Sequence, residues 1–291
     1  MYFDRRTQKA EARQIIRTAR PHPMLVTLLF LLLTSGLSAL VNLVISHPLD
    51  LIASLTQQGL SPDRAMLVMF SDIGPVGLFL HILIAVFGTV LSFGYNRWAL
   101  TVSRGEQAAF SDLVSGFSMV GKVLGLSLLV AVYSLGWAVF ILMAAQLVLF
   151  FVVWIPLLNI VAVYVLLFGG LAFYLTRTLR YAMAVYCLLD DPDAGVFQAV
   201  RRSVLLMRGQ VATYVFLSLS FSGWYLLGGL IGGLAALLAV SIPVAGGIAG
   251  GLVLLACIPL DLWLQAYTSL TYCRFYDSLP RSQTNQNPFE L

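Results

Sequence analysis

The sequence predicts an all-α membrane protein: a polytopic bundle of six transmembrane helices with amphipathic interfacial helices at its cytoplasmic surface. The first observation is that six apolar runs are each long enough to cross about 30 Å of hydrocarbon at roughly 1.5 Å per residue. These runs cover 24–46, 74–96, 119–146, 158–189, 211–239 and 244–273. The second is that all but one of the 17 Lys and Arg residues fall on the same side of the runs.

Composition supports the same fold class. Hydrophobic residues make up 59% of the 291 positions and charged residues only 10%, against about 25% charged in a typical soluble domain. The economical interpretation is a single integral membrane domain over 1–291. It divides into a basic amphipathic helix at 1–20, the six-span bundle at 24–273 and a tail at 274–291.

A basic stripe precedes the first apolar run. Its members recur every three or four residues, which places them on one face of a helix: Arg6, Lys9, Arg13, Arg17 and Arg20. This pattern predicts an interfacial helix whose cations contact anionic lipid headgroups. The alternative is a disordered basic leader that only enforces topology. The first run is too long for a signal-peptide core, so we expect it to be a retained span.

The distribution of basic residues predicts the orientation of the bundle. Lys and Arg occupy the N-terminal stretch, the links after the second and fourth runs, and the tail, whereas Arg64 alone lies on the opposite side. Because a Lys/Arg bias in short loops sets orientation, we expect both termini to be cytoplasmic and the loop 47–73 to be external.

An internal similarity predicts a repeated unit. A shift of about 87 residues lays 106–137 over 193–224, so that Phe110 meets Phe197 and Gly136-Trp137 meets Gly223-Trp224. Each copy reads as a short surface helix followed by a long span, and the N-terminal helix with the first span would be a third copy. Since each unit contains two spans, the repeats would be parallel. Chance similarity is the alternative.

Glycine pairs in the last two runs predict close helix packing. They are Gly228, Gly229, Gly232 and Gly233 before the turn, and Gly246, Gly247, Gly250 and Gly251 after it. An antiparallel hairpin folded at 239–240 would set Gly229 opposite Gly250 and Gly232 opposite Gly247. Small residues at this spacing let membrane helices approach closely. A flexible segment that lines a cavity is the functional alternative.

Three charged residues within the apolar runs form a candidate intramembrane site. Asp261 lies 13 residues before Arg274, and Arg177 lies at a similar depth if the fourth span ends at Asp190, with Arg180 one turn nearer the cytoplasm. Charge at such depth is costly, so we expect Asp261 to pair with one of the two arginines. The pair could fix helix register, or it could serve as an ion relay or headgroup site. Alternatively, Pro259 could break the span and admit water to Asp261.

Catalytic chemistry is poorly represented. His22, His47 and His81 sit at three different span ends on both sides of the predicted membrane, so no metal triad or nucleophile–base pair is evident. We expect no catalytic residue, metal site or cofactor. The acids Asp190, Asp191 and Asp193 are more typical of a capped turn than of a divalent-cation site. The scattered cysteines Cys187, Cys257 and Cys273 are expected to be free thiols.

The central part of the chain resembles a known family. The residues concerned are Tyr181-Ala-Met183-Ala-Val-Tyr186 with Asp190-Asp-Pro192, Ser203-x-x-x-Met207-Arg208-Gly209, Leu219-Ser220-Phe221-Ser222-Gly223-Trp224, and Phe275-Tyr276-x-x-Leu279. They are similar to motifs of the bacterial membrane family known as domain of unknown function 975. The sequence departs from that pattern between Trp137 and Arg177, where an extra apolar stretch contains Trp154-Ile155-Pro156. The resemblance implies a polytopic membrane protein and brings no activity, substrate or cofactor.

These observations lead to one functional expectation and one alternative. We expect a non-enzymatic scaffold or accessory protein of the bacterial inner membrane that engages anionic lipid or a partner membrane protein. The alternative is a transporter or channel-like carrier that uses the Arg177/Arg180–Asp261 region. Nucleic acid is not an expected partner, because no basic stretch is interleaved with base-stacking aromatic residues. The sequence leaves the oligomeric state open.

Overall fold

The structure, a computed structural model, describes residues 5–45, 75–241 and 245–280. The predicted external loop with Arg64 and His47, and the tail from 281 onward, lie outside these residues. The described part is helical and contains no strand. Its elements are α1 (Arg5–Thr18), α2 (Pro23–Leu31), a π segment (Leu32–Gly36), α3 (Leu37–Ile45), α4 (Pro75–Ser103), a 3₁₀ segment (Phe110–Met119), α5 (Val120–Val152), α6 (Pro156–Thr178), α7 (Ala184–Asp190), α8 (Val196–Leu206), α9 (Val211–Ser241) and α10 (Ala245–Ser278).

The predicted all-α class and its six long apolar helices are confirmed. The segments long and apolar enough to cross a membrane are Pro23–Val41, Gly77–Ser103, Phe110–Val152, Leu157–Asp190, Val211–Ala235 and Ile248–Ser278. The chain breaks between α5 and α6, where Ile155 is extended and Pro156 begins the next helix. A proline disfavours helical backbone in the preceding residue yet fits a first helical turn, so Pro156 ends one helix and starts another. This break fixes the boundary between the third and fourth spans.

Two glycines bring α4 and the 3₁₀ segment into backbone contact. A Cβ at Gly94 would collide with the backbone of Leu113, and a Cβ at Gly116 would collide with the backbone of Val90. Each glycine therefore opens the space that the opposite backbone occupies. The 3₁₀ segment lies flat against α4, with Leu113 fully buried between them.

Buried side chains concentrate at one end of the bundle. This end contains α7, α8, the 3₁₀ segment and the ends of α4 and α10, and we call it the basic end. Its fully buried side chains include Trp98, Met183, Met207 and Phe275. The central element is α10, which packs against α1, α2, α4 and α9. The basic end is therefore the rigid part from which the long helices extend.

The hairpin of α5 and α6 stands apart from this core. Beyond the basic end these two helices pack mainly on each other, and Gly170 faces Ile141. The turn between them carries the most exposed large side chains of the hairpin, with Trp154 at 88% and Phe150 at 72%. So broad an apolar surface is typical of helices that lipid chains surround.

The last two long helices pair in a register that differs from the predicted one. The rings of Phe221 and Tyr267 meet edge to face with centroids 5.4 Å apart, and a Cβ at Gly228 would lie 3.8 Å from the Asp261 carboxylate. An antiparallel pair in this register places Gly229 level with position 260 instead of Gly250. Aromatic side chains such as Tyr272 fill the seam toward the basic end and set the register.

The glycine pairs themselves have mixed environments. Gly250 is buried and Gly228 and Gly232 are half-buried, whereas Gly229, Gly233 and Gly251 are exposed. A Cβ at Gly229, Gly232 or Gly233 would meet no described atom within 4 Å. The packing of Gly246 and Gly247 lies outside the described residues. Close glycine-mediated packing of these helices therefore stays a prediction.

The two predicted copies share a local arrangement. In each, a short helix precedes a long one: the 3₁₀ segment before α5, and α8 before α9. Leu113 and Val200 are buried, while Phe110 and Phe197 are exposed at 47% and 70%. The threefold parallel repeat as a whole stays a prediction.

Candidate functional site

An ion cluster joins three helix ends at the basic end. Arg104, just beyond α4, donates to Asp190 at the end of α7 with an Nη1–Oδ1 distance of 2.7 Å. It also donates to Asp277 near the end of α10, with an Nη2–Oδ1 distance of 2.8 Å. The Tyr276 hydroxyl donates to the second oxygen of Asp190 at 2.8 Å. One guanidinium thus ties together helices that are far apart in sequence.

Electrostatics favours the charged form of this arginine. Hydrogen bonding to the Asp190 carboxylate raises the pKa of Arg104 above its usual value, and Asp277 acts in the same direction. The three side chains are between 21% and 30% exposed, so water screens them only in part. Arg104 is therefore the fixed cation of the cluster.

Two further contacts surround the cluster. Arg202 pairs with Asp191 at 2.8 Å, and Glu11 on α1 approaches Arg274 on α10 at 3.5 Å. Two of the three acids predicted to form a capped turn after α7, Asp190 and Asp191, are thus contacted by arginines from neighbouring elements. Among the described residues, no group of three metal-ligating side chains lies together.

The basic stripe of α1 divides between the protein interior and its surface. Lys9 donates to the Ser220 hydroxyl of α9 at 2.6 Å and lies 4.4 Å from the centre of the Phe221 ring. The Arg13 guanidinium lies 5.5 Å from the centre of the Tyr267 ring of α10. Arg17 and Arg20 are exposed, and the side chain of Arg6 lies outside the described residues.

This arrangement modifies the expectation of a helix that turns all its cations toward headgroups. Ala12 and Ile16 are buried against the core, so α1 docks on α10 through a small apolar face. Lys9 and Arg13 flank that face and meet aromatic rings and a hydroxyl. Arg17 and Arg20 are exposed, and so is Arg13, although its guanidinium lies over the Tyr267 ring.

The predicted pairing of Asp261 with Arg177 or Arg180 is not found within the described part of the chain. The Arg177 guanidinium stacks on Trp137 at 4.8 Å and on Phe173 at 4.9 Å from the ring centres. Its helix, α6, packs chiefly on α5, whereas α10 packs on other helices. Matched depth along two spans did not make them neighbours, and Asp261 instead lies beside Gly228.

Arg180 takes a different position again. Its backbone carbonyl accepts a hydrogen bond from Ser203 at 2.6 Å, and its buried Nε makes no hydrogen bond with a described residue. The three residues of the predicted intramembrane site therefore occupy three separate environments.

The short helices of the basic end present apolar and basic side chains to the exterior. Phe117 on the 3₁₀ segment and Phe197 on α8 are exposed at 43% and 70%. Arg201, one turn after Phe197, and Arg208, in the turn after α8, are also exposed. Such a surface is typical of helices that lie at a membrane interface, with rings among lipid chains and cations among headgroups.

Sequence reasoning missed the residues that organise the basic end. Arg104 and Asp277 lie 173 positions apart. Arg104 stands in no motif, and Asp277 occupies an unspecified position of Phe275-Tyr276-x-x-Leu279. The one signal was the acidic turn after Tyr186, interpreted as a helix cap. The reciprocal contact through Gly94 and Gly116 likewise could not be predicted from the spacing of apolar residues.

Comparison with known proteins identifies a family. The family described as "Protein of unknown function (DUF975)" matches residues 1–283, which is nearly the whole chain and includes the stretches 1–90 and 137–177. No curated protein and no solved structure matches the chain significantly.

Proposed function

We propose, for a chain that belongs to the DUF975 family of proteins of unknown function, a non-enzymatic role as a membrane scaffold that engages anionic lipid through its basic end. The observation that carries the proposal is the exposed surface formed by Phe197, Arg201 and Arg208 beside the rigid core. Arg17, near the end of α1, and Arg20, just beyond it, are also exposed and extend the basic character of the same end.

The basic end places cations and exposed apolar rings side by side. A Lys or Arg near an anionic membrane surface contributes about 1 kcal/mol of attraction. An exposed Phe beside it has a favourable place at the level of the acyl chains. The buried residues of α8 hold its backbone in place, so only these side chains become ordered when lipid binds. In this proposal the basic end faces the cytoplasmic leaflet of the bacterial inner membrane, and a partner membrane protein could dock there as well.

The first prediction concerns the two exposed arginines. Replacing both in the variant Arg201→Gln/Arg208→Gln removes about 2 kcal/mol of lipid attraction, which is roughly a 30-fold loss in affinity for anionic lipid. Native mass spectrometry of protein released from nanodiscs with equal phosphatidylglycerol and phosphatidylcholine measures the lipids retained. We expect wild type to retain mainly phosphatidylglycerol and the variant to lose that preference.

Arg202 provides the matched control on the same helix. Its charge is already paired with Asp191, so Arg202→Gln should leave lipid retention close to wild type. Equal retention of the two lipids by wild type would contradict the proposal. So would a loss in Arg202→Gln as large as that in the double variant.

A carrier remains the second candidate because of one residue. Asp261 is exposed within the candidate span of α10 and makes no ion pair with any described side chain. A carboxylate in this position is costly unless a proton, a cation or water compensates it. A proton or solute flux through proteoliposomes that Asp261→Asn abolishes would favour the carrier over the scaffold.

A further inference from the structure

We propose that the junction of α1 with α9 and α10 is a binding site for a phosphate group, held between Lys9 and Arg13. The junction is defined by five residues: Lys9, Arg13, Ser220, Phe221 and Tyr267. This inference rests on the proposed engagement of anionic lipid and deepens it, because it assigns one specific site away from the exposed surface of α8.

The two cations converge on one place. Lys9 and Arg13 are one helical turn apart, and they contact Phe221 and Tyr267, whose rings touch each other. Two donors one turn apart lie about 6 Å from each other at Cβ, and their longer side chains can close on a single phosphate. A phosphate offers several acceptor oxygens and suits this spacing.

The junction lies several helical turns along α9 and α10 from the basic end. Ser220 is about nine residues along α9 from Val211, and Tyr267 is about eleven residues along α10 from Ser278. At ~1.5 Å per residue these positions lie roughly 14–16 Å from the helix ends. A cation at that depth costs free energy unless an anion or water accompanies it.

Carboxylates do not supply that anion for Arg13. It makes no ion pair with any residue that the structure describes, and the nearby Glu11 approaches Arg274. The faces of aromatic rings attract a cation but carry no net charge.

A buried hydroxyl gives independent support for a ligand. Tyr267 is 4% exposed, and its hydroxyl makes no hydrogen bond of ordinary geometry with a described residue, although the Arg13 guanidinium lies beside it. A buried donor without an acceptor typically costs about 1–3 kcal/mol. A phosphate oxygen at the junction would accept from this hydroxyl and from the two cations together.

The side chains around the junction suit a phosphate that carries an apolar tail. Phe221 and the Trp263–Tyr267 stack provide apolar ring surface beside the cations. Arg13 is exposed along its side of α1, which leaves a lateral path for a lipid. Inorganic phosphate shares the same acceptor chemistry without the tail, so the two sources can be distinguished by binding.

The test uses the full chain, delipidated in a neutral detergent, and measures the shift in its melting temperature on titration with a phosphate-bearing probe. The probes are dioleoyl phosphatidylglycerol, inorganic phosphate and dioleoyl phosphatidylcholine. The last of these carries a cation that compensates its phosphate. We expect phosphatidylglycerol to raise the melting temperature of wild type. We expect at least about tenfold weaker binding in Lys9→Gln/Arg13→Gln. Arg97→Gln removes an exposed charge of α4 that belongs neither to the junction nor to the surface of α8, and it should bind as wild type does.

Tyr267→Phe keeps the inference testable if the double variant does not fold. This change removes only the hydroxyl that lacks a partner, so the variant should fold, keep the ring stack and bind phosphatidylglycerol several-fold more weakly. A rise in melting temperature with phosphatidylglycerol but not with inorganic phosphate assigns a lipid phosphate to the site. A rise with both probes assigns a free phosphate. Binding that neither Tyr267→Phe nor Lys9→Gln/Arg13→Gln weakens would overturn the site.

The outcomes separate this inference from the proposed function. Loss of lipid preference in Arg201→Gln/Arg208→Gln concerns the exposed surface, so the part of the melting-temperature shift that Lys9→Gln/Arg13→Gln abolishes should persist in that variant. If the junction variants bind as wild type while Arg201→Gln/Arg208→Gln loses its lipid preference, the junction is refuted and the surface role stands. If the junction variants lose binding while Arg201→Gln/Arg208→Gln keeps its lipid preference, the surface role alone is refuted.

Discussion

At the residue scale, the absence of two Cβ atoms decides how closely α4 packs on the 3₁₀ segment. The missing Cβ of Gly94 admits the backbone of Leu113, and the missing Cβ of Gly116 admits the backbone of Val90. A hydrophobicity profile does not register such a contact, because glycine contributes little to it. The close backbone contacts at these two glycines are therefore the part of this fold that was hardest to predict from the sequence.

A pair of glycine substitutions tests this contact. Gly94→Ala adds a Cβ where backbone atoms lie, which should separate α4 from the 3₁₀ segment and cost on the order of 2–3 kcal/mol through overpacking. Gly88→Ala on the same helix meets nothing within 4 Å, so it should be neutral or stabilise by up to about 1 kcal/mol through helix propensity. Thermal unfolding in detergent measures both. Equal effects of the two changes would show that the contact is not tight.

Ion contacts between helix ends control the assembly at the element scale. Arg104 links α4 to α7 and α10, and Glu11 with Arg274 links α1 to α10. These links fix the register between helices, which contact between apolar faces alone would leave poorly defined. Charge pairs at the ends of membrane helices thus contribute to register as well as stability.

The loss of Arg104 should therefore exceed the loss of a simple ion pair. Arg104→Gln removes the cation that the Asp190 and Asp277 carboxylates share, and we expect a cost of about 1–2 kcal/mol after allowance for partial exposure. Arg202→Gln breaks one half-exposed pair and should cost less than about 1 kcal/mol. Melting temperatures of the two variants in the same detergent provide the comparison, and an equal loss would indicate that Arg104 does not act as a bridge.

The sequence predicts elements better than it predicts their neighbours. Apolar runs located all six long helices, but the sequence left the boundary between the third and fourth spans open. The structure places it at Pro156, where proline restricts the residue before it. Pairing Asp261 with Arg177 failed because depth along a span does not specify which helices are adjacent. The α9–α10 register also differed, since Phe221, Tyr267 and Tyr272 fill the seam where small residues were expected to decide it.

At the scale of the whole molecule, mass and charge are unevenly distributed. The core, the ion contacts and the exposed Arg201 and Arg208 share the basic end, while the α5–α6 hairpin extends from it with few contacts to the other helices. A bundle with this asymmetry suits a protein held at one leaflet by its basic end. Our account depends on that end facing the cytoplasm, where anionic headgroups and the orienting effect of basic residues coincide.

Cysteine accessibility in intact cells tests this orientation most directly. In a background without native cysteines, Arg201→Cys reports the basic end and Trp154→Cys reports the turn between α5 and α6, which is 88% exposed. We expect a membrane-impermeant maleimide to label Trp154→Cys in intact cells and Arg201→Cys only after permeabilisation. Labelling of Arg201→Cys in intact cells would contradict the orientation, and with it the proposed engagement of cytoplasmic anionic lipid.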